Sequence, residues 1–159
     1  MNALAEQVLA ACRARGWRLA TAESCTGGLI AAALTAIAGS SDVVECGFVT
    51  YANTAKTAML GVPVSLIATH GAVSEAVARA MAQGARERAG VALAVAVTGI
   101  AGPGGGSAAK PVGTVWFGLA TPQGVQAWRQ VFPGSRAAVR EATAAEALGA
   151  LLRAAQEPA

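Results

Sequence analysis

Histidine, aspartate, tyrosine and lysine are all scarce in this sequence, and each scarcity removes a familiar kind of site. A single histidine, His70, and a single aspartate, Asp42, leave almost nothing from which to assemble a Ser-His-Asp triad or a multi-histidine metal centre, so no metal and no cofactor are expected. Three cysteines, Cys12, Cys25 and Cys46, are an odd number without CxxC spacing, which argues against a disulfide framework and a structural zinc site. Seven aromatic residues and a formal charge of +3, with arginines scattered among acids, make no basic stacking platform. Nucleic-acid binding is therefore not expected. The hydrophobic fraction of 54% is inflated by alanine. No apolar run approaches the roughly 20 residues of a membrane-spanning helix, so no membrane partner is expected. The first residues lack the basic-then-apolar order of a signal peptide, and reduced thiols fit the cytoplasm, where the protein is expected to reside.

What is present is enough for one domain. A chain of 159 residues can bury roughly 70% of its unfolded surface. Residues 2–15 read as a helix closed by Gly16, 17–21 as a short strand, 29–37 as a helix, and 43–51 as a strand ending at Tyr51. Asn53 is expected to cap a short helix over 54–60. Pro63 and Ser65 start another that stops near His70-Gly71, and Ser74 opens a long helix to residue 89. The apolar run 91–98 reads as a strand covered on both faces. After a glycine-rich loop over 99–107 come two strands, 113–120 and 125–132, joined by a hairpin turn, and a final helix over 136–155. This order implies an α/β single domain, three layers α/β/α on a mixed sheet.

The chemistry concentrates in the turn after the first strand. Ser24 lies between an apolar strand and an apolar helix, and the amides of Cys25, Thr26, Gly27 and Gly28 can face a developing oxyanion. Taken alone, Ser24 or Thr26 is better explained as a helix cap, and other features must outweigh that reading. The chain has ten arginines and two lysines, Lys56 and Lys110. Lys56 falls in the opening turn of its helix, where the dipole disfavours an ammonium and burial would lower its pKa, making it a candidate base for a hydroxyl. Otherwise it is a solvated surface lysine. Tyr51, the only tyrosine, is expected to pack its ring in the core with its hydroxyl toward a polar neighbour. Cys25, with Glu23 and Lys56, supplies the residue types of a Cys-Glu-Lys amidase and is the rival nucleophile. The loop Gly102-Pro103-Gly104-Gly105-Gly106-Ser107 with Lys110 has the composition of a phosphate cradle without a P-loop ending. Arg136 and Arg140, four apart, share a helix face that either clamps a phosphate or is simply solvated. His70 reads as a cap for a helix-end carbonyl.

The segments TAESCTGG at 21–28, AGSS at 38–41, GFVTYANTAK at 47–56, GAVSE at 71–75 and TGIAGPGGGSAAKPVGTVWF at 98–117 together resemble the CinA C-terminal domain family, the nicotinamide-nucleotide amidases. The resemblance covers most of the chain in order. It implies hydrolysis of the carboxamide of nicotinamide mononucleotide to nicotinate mononucleotide and ammonia, within NAD recycling. By the same resemblance Ser24 is the nucleophile, Lys56 its general base and Tyr51 the third catalytic member. Expected substrate contacts are Cys25, Thr26, Gly27 and Gly28 in the turn, Thr98, Gly99, Gly102 and Lys110 in the glycine-rich segment, and Arg140. Some relatives carry a larger domain with metal-dependent pyrophosphatase activity, and none of that chemistry is expected of these residues. A homodimer is expected, since family members commonly self-associate. The alternative is a competence-associated module that binds a nucleotide without turning it over.

Overall fold

Runs of small and branched apolar residues, buried on both faces, build the centre of the molecule. The computed structural model describes residues 1–158. Strands β1 (Leu19–Glu23) and β3 (Leu93–Gly99) lie side by side in a five-stranded sheet, with every residue of β1 and all but the last of β3 buried. Around them stand β2 (Val44–Val49), β4 (Thr114–Thr121) and β5 (Gly124–Val131), in the order β2-β1-β3-β4-β5. β1 runs parallel to β2 and β3, while β4 is antiparallel to both β3 and β5. The sheet is mixed and helices cover both faces, as the element order implies.

One face carries α1 (Asn2–Arg15), α2 (Leu29–Thr35) and α6 (Arg136–Gln156), whose Val8, Leu9, Ile30, Leu34, Leu148 and Leu151 meet Leu19, Val95 and Phe117 of the sheet. The other carries α5 (Glu75–Ala89), with α3 (Asn53–Leu60) and α4 (Val64–His70) packed beside it, and Val77 and Met81 cover Ala22, Ala94 and Ala96. The connection from β1 to β2 therefore crosses one face of the sheet and that from β2 to β3 the other. Serine caps behave as their chemistry requires: Ser74 accepts from the Val77 amide to start α5, and Ser135 from Ala138 to start α6.

Three local expectations fail. Trp17 is not a strand residue. Its ring lies 3.8 Å beneath the Arg15 guanidinium, and β1 begins only at Leu19, where the sheet becomes available. Asn53 does not cap α3 but is its first helical residue, and the cap, Ala52, makes no side-chain bond. Tyr51 does not end β2 or enter the core: the strand stops at Val49 and the tyrosine is 61% exposed.

The alanine-rich α5 comes unusually close to its neighbours because two glycines admit it. A Cβ on Gly118 of β4 would sit 2.3 Å from the Ala78 carbonyl oxygen, and one on Gly84 would sit 2.0 Å from that of Leu60. Backbone cannot yield as a side-chain tip can. Gly118→Ala is expected to destabilise the fold by about 1–3 kcal/mol, read as a lower urea midpoint at unchanged m value.

Candidate active site

The strand order fixes where a ligand can sit. β1 leads through α2 to β2 on one side while β3 leads through a loop to β4 on the other, so the connections diverge from the carboxyl ends of β1 and β3 and leave a crevice there. Ser24 follows β1 directly, its amide bonded to Val97 O of β3 at 3.1 Å. Thr98, Gly99 and Gly102, at and beyond the end of β3, form the opposite wall of a cavity of about 300 Å³. Tyr51, Lys56 and Arg136 complete it. No carboxylate lines it.

Lys56 is the unusual group. Its residue is 1% exposed, and Nζ lies 3.1 Å from Ser24 Oγ, 3.1 Å from Thr50 O and 3.4 Å from Tyr51 O. Desolvation holds its pKa below the ordinary 10.5, because burial penalises the ammonium and no carboxylate compensates. α3 delivers the side chain: Lys56 belongs to its first turn and reaches back under the segment joining β2 to α3. A neutral amine has two N–H bonds and one lone pair. With the two carbonyls accepting the N–H bonds, the lone pair is left to the serine hydroxyl.

Cys25 also borders the cavity, at 6% exposure, but burial pushes its thiol up to about 11. A thiol in that state is a poor nucleophile at neutral pH. Glu23 does not serve it. That carboxylate accepts from Thr26 Oγ1 at 2.5 Å and from the amides of Ile30 and Ala31 at 2.9 and 3.0 Å, capping α2. The Cys-Glu-Lys arrangement is not assembled.

The remaining expected contacts divide. The structure brings Ser24, Cys25, Tyr51, Lys56, Thr98, Gly99 and Gly102 around one cavity, but not Thr26, Gly27, Gly28, Lys110 or Arg140. Thr26 is fully buried on Glu23. Arg140 grips the turn from α6, donating from Nε to Cys25 O and from Nη2 to Thr26 O, both at 3.1 Å. Lys110 donates to His70 O at 2.8 Å, so this amine, not the imidazole, caps the end of α4. Arg136 is exposed at the cavity mouth and bridges it, with Nη1 on Gly102 O at 2.8 Å and Nη2 on the Tyr51 hydroxyl at 3.0 Å. The helix-face pair thus splits, one guanidinium to the mouth and one to the turn. Sequence reasoning missed the role of Glu23 at α2, although an acid shortly before a helix start is a recognised signal. It also missed Asn53 and Val73 as cavity residues, which only the tertiary fold brings there. Among the described residues no group of three His, Cys, Asp or Glu could hold a metal ion, and no helix is long and apolar enough to cross a membrane.

Fold and site together define an α/β protein with a serine and a buried lysine paired at a strand-order switch. The chain belongs to the CinA C-terminal domain family, whose model matches residues 1–155. It is 53% identical over 154 residues to the nicotinamide-nucleotide amidohydrolase PncC of Enterobacter agglomerans, covering 96% of this chain and 94% of that protein. It is 54% identical to a CinA-like protein of Anaeromyxobacter dehalogenans, covering 93% of this chain but only 36% of the relative, so the chain spans about a third of that longer protein. The crystal structure of the competence/damage inducible protein CihA from Agrobacterium tumefaciens superposes with a TM-score of 0.95 at 49% identity, over 98% of this chain and 95% of that one.

The thiol chemistry is directly measurable. At pH 8, iodoacetamide is expected to alkylate the half-buried Cys46 well before Cys25, with peptide mass spectrometry reading the order.

Proposed function

We propose that this chain is an amidohydrolase that converts nicotinamide mononucleotide to nicotinate mononucleotide and ammonia, with Ser24 as nucleophile. The observation that carries the reading is the buried amine of Lys56, 3.1 Å from Ser24 Oγ. The near-full-length identity to an amidohydrolase named for this substrate class supports the same choice. So does the cavity, where Arg136 and the absence of lining carboxylates favour an anionic ligand such as a nucleotide phosphate.

In this mechanism neutral Lys56 takes the Ser24 proton as Oγ attacks the carboxamide carbon. The resulting oxyanion is held by the turn amide of Cys25, which borders the cavity and has no backbone acceptor among the described residues. The Lys56 ammonium then protonates the departing nitrogen, and ammonia leaves an ester on Ser24. Water, losing its proton to Lys56, attacks that ester and releases the carboxylate product with the serine restored. Tyr51 acts at the edge of this scheme: its carbonyl orients the amine and its hydroxyl, bonded to Arg136, borders the substrate entry. The reading includes a role in NAD recycling, a cytoplasmic location and a homodimer, the last supported by exposed apolar side chains at Val49, Met59 and Val64.

Ammonia release from the mononucleotide, measured on wild type beside Ser24→Ala, tests the proposal. The variant is expected to lose about a thousand-fold or more in kcat while its melting temperature stays near wild type. Affinity without product in the wild type would identify a binding module instead. Cys25→Ala, which removes a thiol but no amide, is expected to keep kcat within about five-fold, whereas a cysteine enzyme would lose its turnover.

Lys56 makes rate and stability depend on pH with definite signs. Because the neutral amine is the base, kcat/KM should rise with pH through the lowered pKa of Lys56, and Lys56→Met should abolish that limb along with activity. Between this lowered pKa and the unfolded value near 10.5 the unfolded chain binds the extra proton, so stability rises with pH across that window. Lys56→Met should remove this slope and raise the urea midpoint at neutral pH.

A further inference from the structure

Glu23 is a fully buried carboxylate immediately before Ser24 that the mechanism above does not use. It makes no hydrogen bond to Ser24 or Lys56, does not line the cavity, and pairs with no cation among the described residues. Its partners are three donors, the Thr26 hydroxyl and the amides of Ile30 and Ala31. Both carboxylate oxygens thus serve as acceptors, and two of their donors are opening amides of α2.

Two consequences follow for the turn. First, the opening amides of α2 are already occupied, so they are not available to a substrate oxygen. The Gly27 amide bonds Ser24 O and the Leu29 amide bonds Thr26 O, which leaves, among the described residues, the Cys25 amide as the cavity-bordering donor of the turn with no backbone acceptor. Second, the turn is gripped from two sides, by Glu23 through the Thr26 side chain within and by Arg140 through the Cys25 and Thr26 carbonyls without. A peptide unit is planar, so fixing the Cys25 carbonyl fixes the plane of the peptide that follows Cys25. Neither grip touches the reacting atoms.

We infer that Glu23 is a positioning residue: through Thr26 it holds the 24–28 turn so that Ser24 and the Cys25 amide at the cavity keep the geometry that a tetrahedral intermediate on Ser24 requires. The inference rests on the reading of Ser24 as nucleophile, and it assigns the carboxylate no proton transfer. Its effect should therefore fall on turnover and not on binding of the ground-state amide.

Glu23→Gln tests it, because the amide keeps the shape but turns an NH₂ donor against a site where only donors converge. We expect kcat for ammonia release to fall at least about ten-fold with KM within about two-fold, a split that simple loss of folded protein would not produce. A serine-reactive fluorophosphonate gives a second readout that needs no knowledge of the substrate. Its labelling of Ser24, followed by mass spectrometry, should slow by a similar factor in the variant. Thr26→Val should lose kcat as well, and Thr26→Ser, which keeps the hydroxyl, should retain at least about five-fold more than Thr26→Val. Wild-type labelling without ammonia release would sink the amidase reading and leave Glu23 to be judged on labelling rates alone. Kcat and labelling within about two-fold of wild type in Glu23→Gln would overturn the inference. If that variant does not fold, equal kcat and equal labelling rates in the two Thr26 variants overturn it. A wild type that neither labels nor turns over overturns it together with the nucleophile.

Discussion

A lysine amine taken out of water and given no carboxylate is the constraint on which the site depends. Burial alone would make Lys56 a liability, since an ammonium without a counter-charge is costly in the interior and the neutral form is costly in protonation at physiological pH. The three oxygens around Nζ suit either state. As an ammonium it donates to Thr50 O, Tyr51 O and Ser24 Oγ. As an amine it keeps the two carbonyls and accepts from the serine, so only the direction of one hydrogen bond reverses when the proton moves. Proton transfer between serine and lysine thus needs no rearrangement of the amine, which is what preorganisation means at the level of single bonds.

The fold supplies that arrangement from segments far apart in the chain. Ser24 comes from the end of β1, the lysine and its two carbonyl partners from the segment after β2 and the first turn of α3, and the facing wall from the end of β3. Only the order β2-β1-β3 brings these ends together, with helices leaving to opposite faces. Close packing of α5 through Gly84 and Gly118 holds the α3 side of the cleft against the sheet, so the depth at which Lys56 is buried is set partly by residues with no side chain.

Much of this was legible in the sequence where the governing interaction is local. Gly16 and Gly90 end helices in the left-handed conformation that glycine accepts most readily, Ser74 caps a helix three residues ahead of its donor, and the uninterrupted apolar run of β3 announces burial on both faces. The hydroxyl and amine of the site were legible too, because a lysine in the opening turn of an apolar helix is a local anomaly. What escaped depended on partners distant in sequence. Tyr51 was read as a core residue because it follows a strand, yet Arg136, 85 residues away, gives its hydroxyl a partner at the surface. Arg140 and Lys110 looked like ligands for an anion, but carbonyls of the turn and of α4 engage them first. A cation's local context does not say which acceptor the fold will bring to it.

The two α6 arginines show how one helix can serve two levels of the same site. Residues four apart on a helix are separated by about one turn, about 5.4 Å along the axis, and point from the same face. Arg140 therefore meets the carbonyls of the turn after β1 while Arg136, one turn nearer the helix start, meets Gly102 O and the Tyr51 hydroxyl at the cavity mouth. Arg136 is exposed and its partners are neutral, so an incoming anion can compete for it; Arg140 is half-buried and bound to main chain, so it stays with the turn. Any shift of α6 that followed capture of an anion at Arg136 would be felt at the Cys25 and Thr26 carbonyls, and so by the amides in their peptide units. One helix thus carries, a turn apart, a contact at the cavity mouth and a contact at the turn that holds Ser24.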